Sequence, residues 1–245
     1  MTIHVALFAA ATGYIVGSIP FALIVTRLFG RGQRLAAAEL AVPGTDDVLR
    51  SDAVSATAVR LQLGARYGCL TSLLDMAKAT AVALAFRLAY PDAPYVLIAS
   101  GFAVVGHIWP LFNRFRGGRG QSPAIGGLFV VDWPAPLVVY PLAQILGLVT
   151  RSRAYVGRFA PMVLASGWLY LRFRDLSFVY YGLGLFAIRM LAMRGEIAQY
   201  TRIRRSGGLN SLADEVALMG YGKILEGFGV RIRRLLRRLK IRRGS

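Results

Sequence analysis

NRFRGGRGQSPA, residues 113–124, packs three arginines and three glycines into seven positions between two strongly apolar stretches. Guanidinium groups are expelled from hydrocarbon and a glycine-rich backbone interrupts helices, so the chain leaves a membrane here and turns back into it. The composition agrees: 56% of the 245 residues are hydrophobic and the mean hydropathy is +0.51, far too apolar for a soluble fold. The formal charge is nonetheless +18, so the cations sit outside the lipid and report orientation. Cys69 is the single cysteine, which excludes an internal disulfide, and the chain has no metal-type Cys/His cluster.

Working outward, the apolar run 5–29 lacks a basic lead and a small-residue cleavage pattern, and reads as a retained first span. Further spans are expected at 69–90, 95–112, 155–171 and 178–193. The stretch 124–150 is broken by Asp132-Trp133-Pro134-Ala135-Pro136 into a short helix, a turn and a second helix. The expected fold is an all-α integral membrane protein of about seven transmembrane helices, N-terminus outside and C-terminus cytoplasmic. That alternation puts 25 of the 30 Lys and Arg residues in segments 27–68, 113–122, 151–158 and 194–245, all cytoplasmic. The organisation is a polytopic domain over 1–193 and a basic extension over 194–245. Within the extension, VRIRRLLRRLKIRR (230–243) spaces four aliphatic residues helically among eight cations, the pattern of an amphipathic helix lying on anionic lipid headgroups. Membrane topology accounts for the charge, and no nucleic-acid recognition motif accompanies it.

Four clusters could carry chemistry. In Arg116-Gly117-Gly118-Arg119-Gly120 the glycines let backbone N–H groups approach an anion and the arginines offer forked donors suited to phosphate. A topology-setting turn fits the same composition. His107, just before this loop, is placed to orient a hydroxyl or exchange a proton, or to serve as a bonded structural residue. Asp75 and Lys78 share one face of the second span, where ionisable groups mark either a site or an architectural pair. In the first span, Gly17-Ser18-Ile19-Pro20-Phe21 combines a small contact point with a proline that frees backbone acceptors.

Taken in order, these pieces resemble the bacterial acyl-phosphate-dependent glycerol-3-phosphate acyltransferases, the PlsY family, over roughly 12–205. GSIPF (17–21) matches the first-span motif. LLDMAK (73–78) resembles D-x-x-K-G, with Ala79 in place of the glycine. GHIWPLFNRFRGGRG (106–120) resembles G-H-x-F-P…K-G-G-K-G, with arginine for both lysines. Two motifs depart. The loop motif G-S-G-N-x-G-A-T-N-V-L-R falls on 43–68, where one register uses Gly44, Asp47 and Arg50 and another uses Ser55, Ala56, Thr57 and Ala58. Both lose the asparagines. H-R-x-N-I becomes Met193-Arg194-Gly195-Glu196-Ile197, which keeps only the arginine and isoleucine.

The resemblance implies transfer of a fatty acyl group from acyl phosphate to the primary hydroxyl of glycerol 3-phosphate, giving lysophosphatidic acid at the cytoplasmic face of the bacterial inner membrane. The activated donor requires no metal, no cofactor and no covalent enzyme intermediate. On this reading Arg116, Arg119, Lys78 and Arg194 supply positive field, and Gly117, Gly118 and Gly120 give backbone contacts to phosphate. Thr45, Arg50, Ser51 or Thr57 contributes the loop wall, and Ser18 and Glu196 line the substrate site. His107 orients the hydroxyl and Asp75 positions Lys78. The eroded motifs leave two alternatives open. One is a diverged paralogue with another phosphorylated acceptor or acyl donor. The other is a non-catalytic scaffold binding anionic lipid or a lipid-synthesis partner protein.

Overall fold

The structure, a computed structural model, describes residues 2–42, 46–150, 152 and 155–206. Thr45 and the basic helix expected at 230–243 lie outside the described residues. Nine α-helices are described: α1 (Ile3–Gly17), α2 (Phe21–Phe29), α3 (Ala56–Leu63), α4 (Ala65–Ala89), α5 (Tyr95–Ile108), α6 (Gln121–Val131), α7 (Pro134–Val149), α8 (Val156–Phe173) and α9 (Leu176–Arg205). A two-stranded antiparallel hairpin, β1 (Ala38–Ala41) and β2 (Val48–Ser51), stands between α2 and α3, with Ala38 opposite Ser51. The sequence reading contained no strands. The segments are too short and mixed in polarity to stand out, and the pairing is stabilised by packing Val42 and Leu49 against Tyr200 and Ile203 of α9.

Among the described residues, four stretches are long and apolar enough to cross a membrane: Ile3–Phe29, Ala65–Ala89, Tyr95–Asn113 and Leu176–Arg205. The first is bent rather than continuous. Pro20 lacks an N–H, and the helix stops at Gly17 and restarts at Phe21. α6 and α7 are the short helices expected around Asp132. At 11 residues, α6 is about 16 Å long, well below a typical hydrocarbon thickness of about 30 Å. Its two ends are nonetheless matched to the ends of α8. Arg189 donates to the carbonyls of both Arg119 and Arg158 at one end, while Asp132 accepts from Trp168 Nε1 and Arg172 Nε at the other. α6 and α8 therefore run in the same direction, with α7 returning between them.

The tightest helix contact brings α1 against α5, because small residues let the backbones meet. A Cβ on Gly17 would stand 2.3 Å from the Ala103 carbonyl oxygen, and one on Gly106 would stand 2.2 Å from that of Tyr14. A second core gathers Leu128, Val131, Met162, Leu169 and Leu185 from α6, α8 and α9. α9 continues without a break through residues 193 and 194 to Arg205 and carries the span into the extension.

Because backbone, not a movable side chain, opposes both α1–α5 glycines, Gly106→Val forces the helices apart. Thermal unfolding in detergent should show a loss of about 3 kcal/mol or more. An unchanged melting temperature would mean that the two backbones are not in contact.

Candidate functional site

The break in the first span positions the site. Ser18, fully buried, donates to the Tyr14 carbonyl at 2.8 Å and accepts from the Leu111 N–H at 3.2 Å, pinning the exit of α5 beside the bend. The bend also frees the Ile19 carbonyl, which accepts from Lys78 Nζ at 2.7 Å. The proline kink thus supplies a buried cation with an acceptor.

Lys78 and Asp75 occupy one face of α4, each with a side chain 3% exposed, and Nζ lies 2.8 Å from Oδ1. His107 Nδ1 reaches the same carboxylate oxygen at 3.3 Å and Lys78 Nζ at 3.2 Å. The structure therefore joins three groups that the sequence placed on two helices. One carboxylate compensates a lysine and orients an imidazole. The ring's other nitrogen, Nε2, faces the glycine loop, where a Cβ on Gly118 would stand 2.1 Å from it.

The loop is held on α5 by its backbone: Gly118 N–H donates to the His107 carbonyl at 3.0 Å, and Gly117 C=O accepts from Val54 N–H at 2.9 Å. Gly120 adopts φ +75°, the left-handed conformation that favours glycine, and leads into α6. A shallow cleft opens between these parts, lined by Ile19, Pro20, Phe21, Asp75, His107 and Gly118 among others.

A second polar cluster adjoins the loop. Arg119 Nε lies 2.7 Å from Glu196 Oε1, and Ser51 Oγ donates to the same oxygen at 2.6 Å. Arg158 Nη1 stands 3.7 Å from Oε2. Beneath them Arg189, 1% exposed, donates to the carbonyls of Arg119 and Arg158 and, through Nη2 at 3.1 Å, to Gln121 Oε1.

The remaining expected residues lie apart from these clusters. Arg50 sits on the outward face of β2 with Glu39 and Asp52, because the strand's alternation turns Leu49 and Ser51 inward. Thr57 is half-buried in the first turn of α3, whose cap is Ser55. Arg116 and Arg194 are exposed. In the sequence Arg158 stands only among the cytoplasmic cations of segment 151–158, and Arg189, near the end of the last span, is ambiguous. An arginine inside the apolar run of α9 was the available sign for Arg189, whereas nothing local distinguished Arg158.

The approach of Gly118 to the imidazole makes a specific prediction. Gly118→Ala should cut turnover by about 100-fold or more by displacing His107, whereas Gly184→Ala, whose added carbon would meet nothing within 4 Å, should leave turnover within about twofold. Equal effects in steady-state assays would dissociate the loop from the imidazole.

Comparison with known proteins identifies the family. A family model described as glycerol-3-phosphate acyltransferase matches residues 7–203. A glycerol-3-phosphate acyltransferase of Myxococcus xanthus (strain DK1622) is 33% identical over 192 residues, covering 78% of this chain and 93% of the relative. One from Maricaulis maris (strain MCS10) is 38% identical over 135 residues, covering 55% of this chain and 56% of that protein. The crystal structure of PlsY, an integral membrane glycerol 3-phosphate acyltransferase in its glycerol 3-phosphate form, superposes with a TM-score of 0.67 at 24% identity, covering 81% of this chain and 93% of the other. The chain belongs to the glycerol-3-phosphate acyltransferase family.

Proposed function

We propose that this chain is a membrane acyltransferase of phospholipid synthesis that moves an acyl group from acyl phosphate to glycerol 3-phosphate. The observation that carries the reading is the Asp75–Lys78–His107 cluster, which sits at the bend of the first span and is roofed by the glycine loop. Family membership supports the acceptor.

The chemistry follows from the arrangement. Assigning the ring proton to Nδ1, which lies 3.3 Å from the Asp75 carboxylate and 3.2 Å from Lys78 Nζ, leaves the Nε2 lone pair on the loop side. The acceptor's primary hydroxyl oxygen attacks the acyl carbonyl carbon, and its proton passes to Nε2. The new C–O bond forms, the tetrahedral oxyanion collapses, and the bond from that carbon to the phosphate oxygen breaks. Inorganic phosphate leaves and takes up the proton. Lys78 and Arg119, with the backbone of the glycine loop, offset the negative charge that two phosphates bring together. Arg116 and Arg194, at the exposed margin, attract anionic substrate from the water.

Seven crossings, with the N-terminus outside and the active face cytoplasmic in a bacterial inner membrane, fit the charge distribution and the shared direction of α6 and α8. The basic extension would then lie against anionic headgroups of the inner leaflet. A different phosphorylated acceptor is favoured by one feature, Glu196, whose carboxylate engages Arg119 where the family motif has an asparagine.

Purified full-length protein in detergent, given acyl phosphate and glycerol 3-phosphate, should form lysophosphatidic acid and one inorganic phosphate per acyl group transferred. His107→Ala should lower kcat by about 10²–10⁴. Transfer to other phosphorylated alcohols alone would select the second acceptor class. No transfer to any of them would refute the acyltransferase reading.

A further inference from the structure

Two side chains suited to holding phosphate, Arg119 and Ser51, converge on one oxygen of Glu196, at 2.7 and 2.6 Å. Arg158 approaches the other oxygen at 3.7 Å, and that oxygen is buried without a hydrogen-bond donor among the described residues. A carboxylate that collects a guanidinium and a hydroxyl on one oxygen and faces a second guanidinium with the other offers what a phosphate would offer. The side chain is 12% exposed, so water screens the contact only partly.

We propose that Glu196 is a built-in occupant of the phosphate seat, a tethered anion that the phosphate of the acceptor must displace from Arg119 and Ser51 before it binds. This rests on reading the Arg119 corner as a phosphate seat. Three consequences follow from the charges. Displacement leaves a carboxylate beside the incoming phosphate, where like charges repel, so affinity for a dianion is lower than the arginines alone would give. Arg158, already close to Oε2, is the cation able to receive the displaced carboxylate. Glu196 therefore acts on acceptor binding and selectivity, not on the proton transfer at His107. The neighbouring recess is lined by Glu196, Arg158, Tyr155 and Tyr200, among others, so the carboxylate and the cation that would receive it share one wall and the movement is short. Arg189 stays fixed meanwhile, because its donors are engaged by backbone carbonyls and Gln121 rather than by the carboxylate.

The test is calorimetric titration of inorganic phosphate into purified full-length protein, comparing the unaltered chain with Glu196→Gln and Glu196→Asn. The first keeps the side-chain length and an acceptor for Arg119; the second is shorter and uncharged, so loss of one variant to misfolding leaves the other. Phosphate should bind about tenfold more tightly to both, and the KM for glycerol 3-phosphate should fall by a similar factor. Equal or weaker phosphate binding by the variants, with measurable binding by the unaltered chain, would overturn the tethered anion while leaving the seat in place. Absence of phosphate binding in all three proteins would remove the seat itself, and the proposal with it.

Discussion

One carboxylate, that of Asp75, organises the interior. A lysine and a histidine at this depth would each be costly alone, because burial strips water from the charge and from the polar ring. Asp75 lies within 3.3 Å of both and converts two liabilities into one compensated group. Removing one partner of such a buried pair typically costs about 3–5 kcal/mol, so the three side chains hold α4 against α5 as firmly as they define chemistry. The bend at Pro20 belongs to the same device, since the Ile19 carbonyl it releases completes the shell of Lys78.

From this cluster the rest of the site is built by backbone rather than by long side chains. The loop lies against His107 through its glycines and its peptide groups, which leaves Arg116 exposed and Arg119 directed toward α9. A second layer, the Arg189 hub, ties the start of α6 to the start of α8 and, among the described residues, carries no carboxylate among its hydrogen-bond partners. Chemistry and packing thus occupy adjacent but separable sets of charges.

Much of this was legible from residue order. Spacing of three placed Asp75 and Lys78 on one face, the Ser-Ile-Pro sequence announced the kink, and the run from Gly106 to Gly120 announced a basic glycine loop just after a histidine. Long-range pairing was not legible. Ser51 meets Glu196 across 145 positions, and Arg119 meets it across 77, contacts that no local pattern encodes. Arg50 looked like a phosphate ligand by its motif, yet the pleat of a strand too short to recognise turned it outward. Short helices such as α6 are difficult to count as crossings, because its buried end group Asp132 looks like a loop residue until it is paired with Trp168 and Arg172.

The central claim is that Asp75, Lys78 and His107 act as one unit, and a double-mutant cycle measures that directly. The kcat/KM for acyl transfer would be determined for Asp75→Asn, Lys78→Met and the combined variant, with folded yield checked by size-exclusion chromatography. If the cluster is a unit, the combined variant loses no more than the worse single variant, giving a coupling energy of about 1–3 kcal/mol. Losses that simply multiply would show independent side chains and contradict the account.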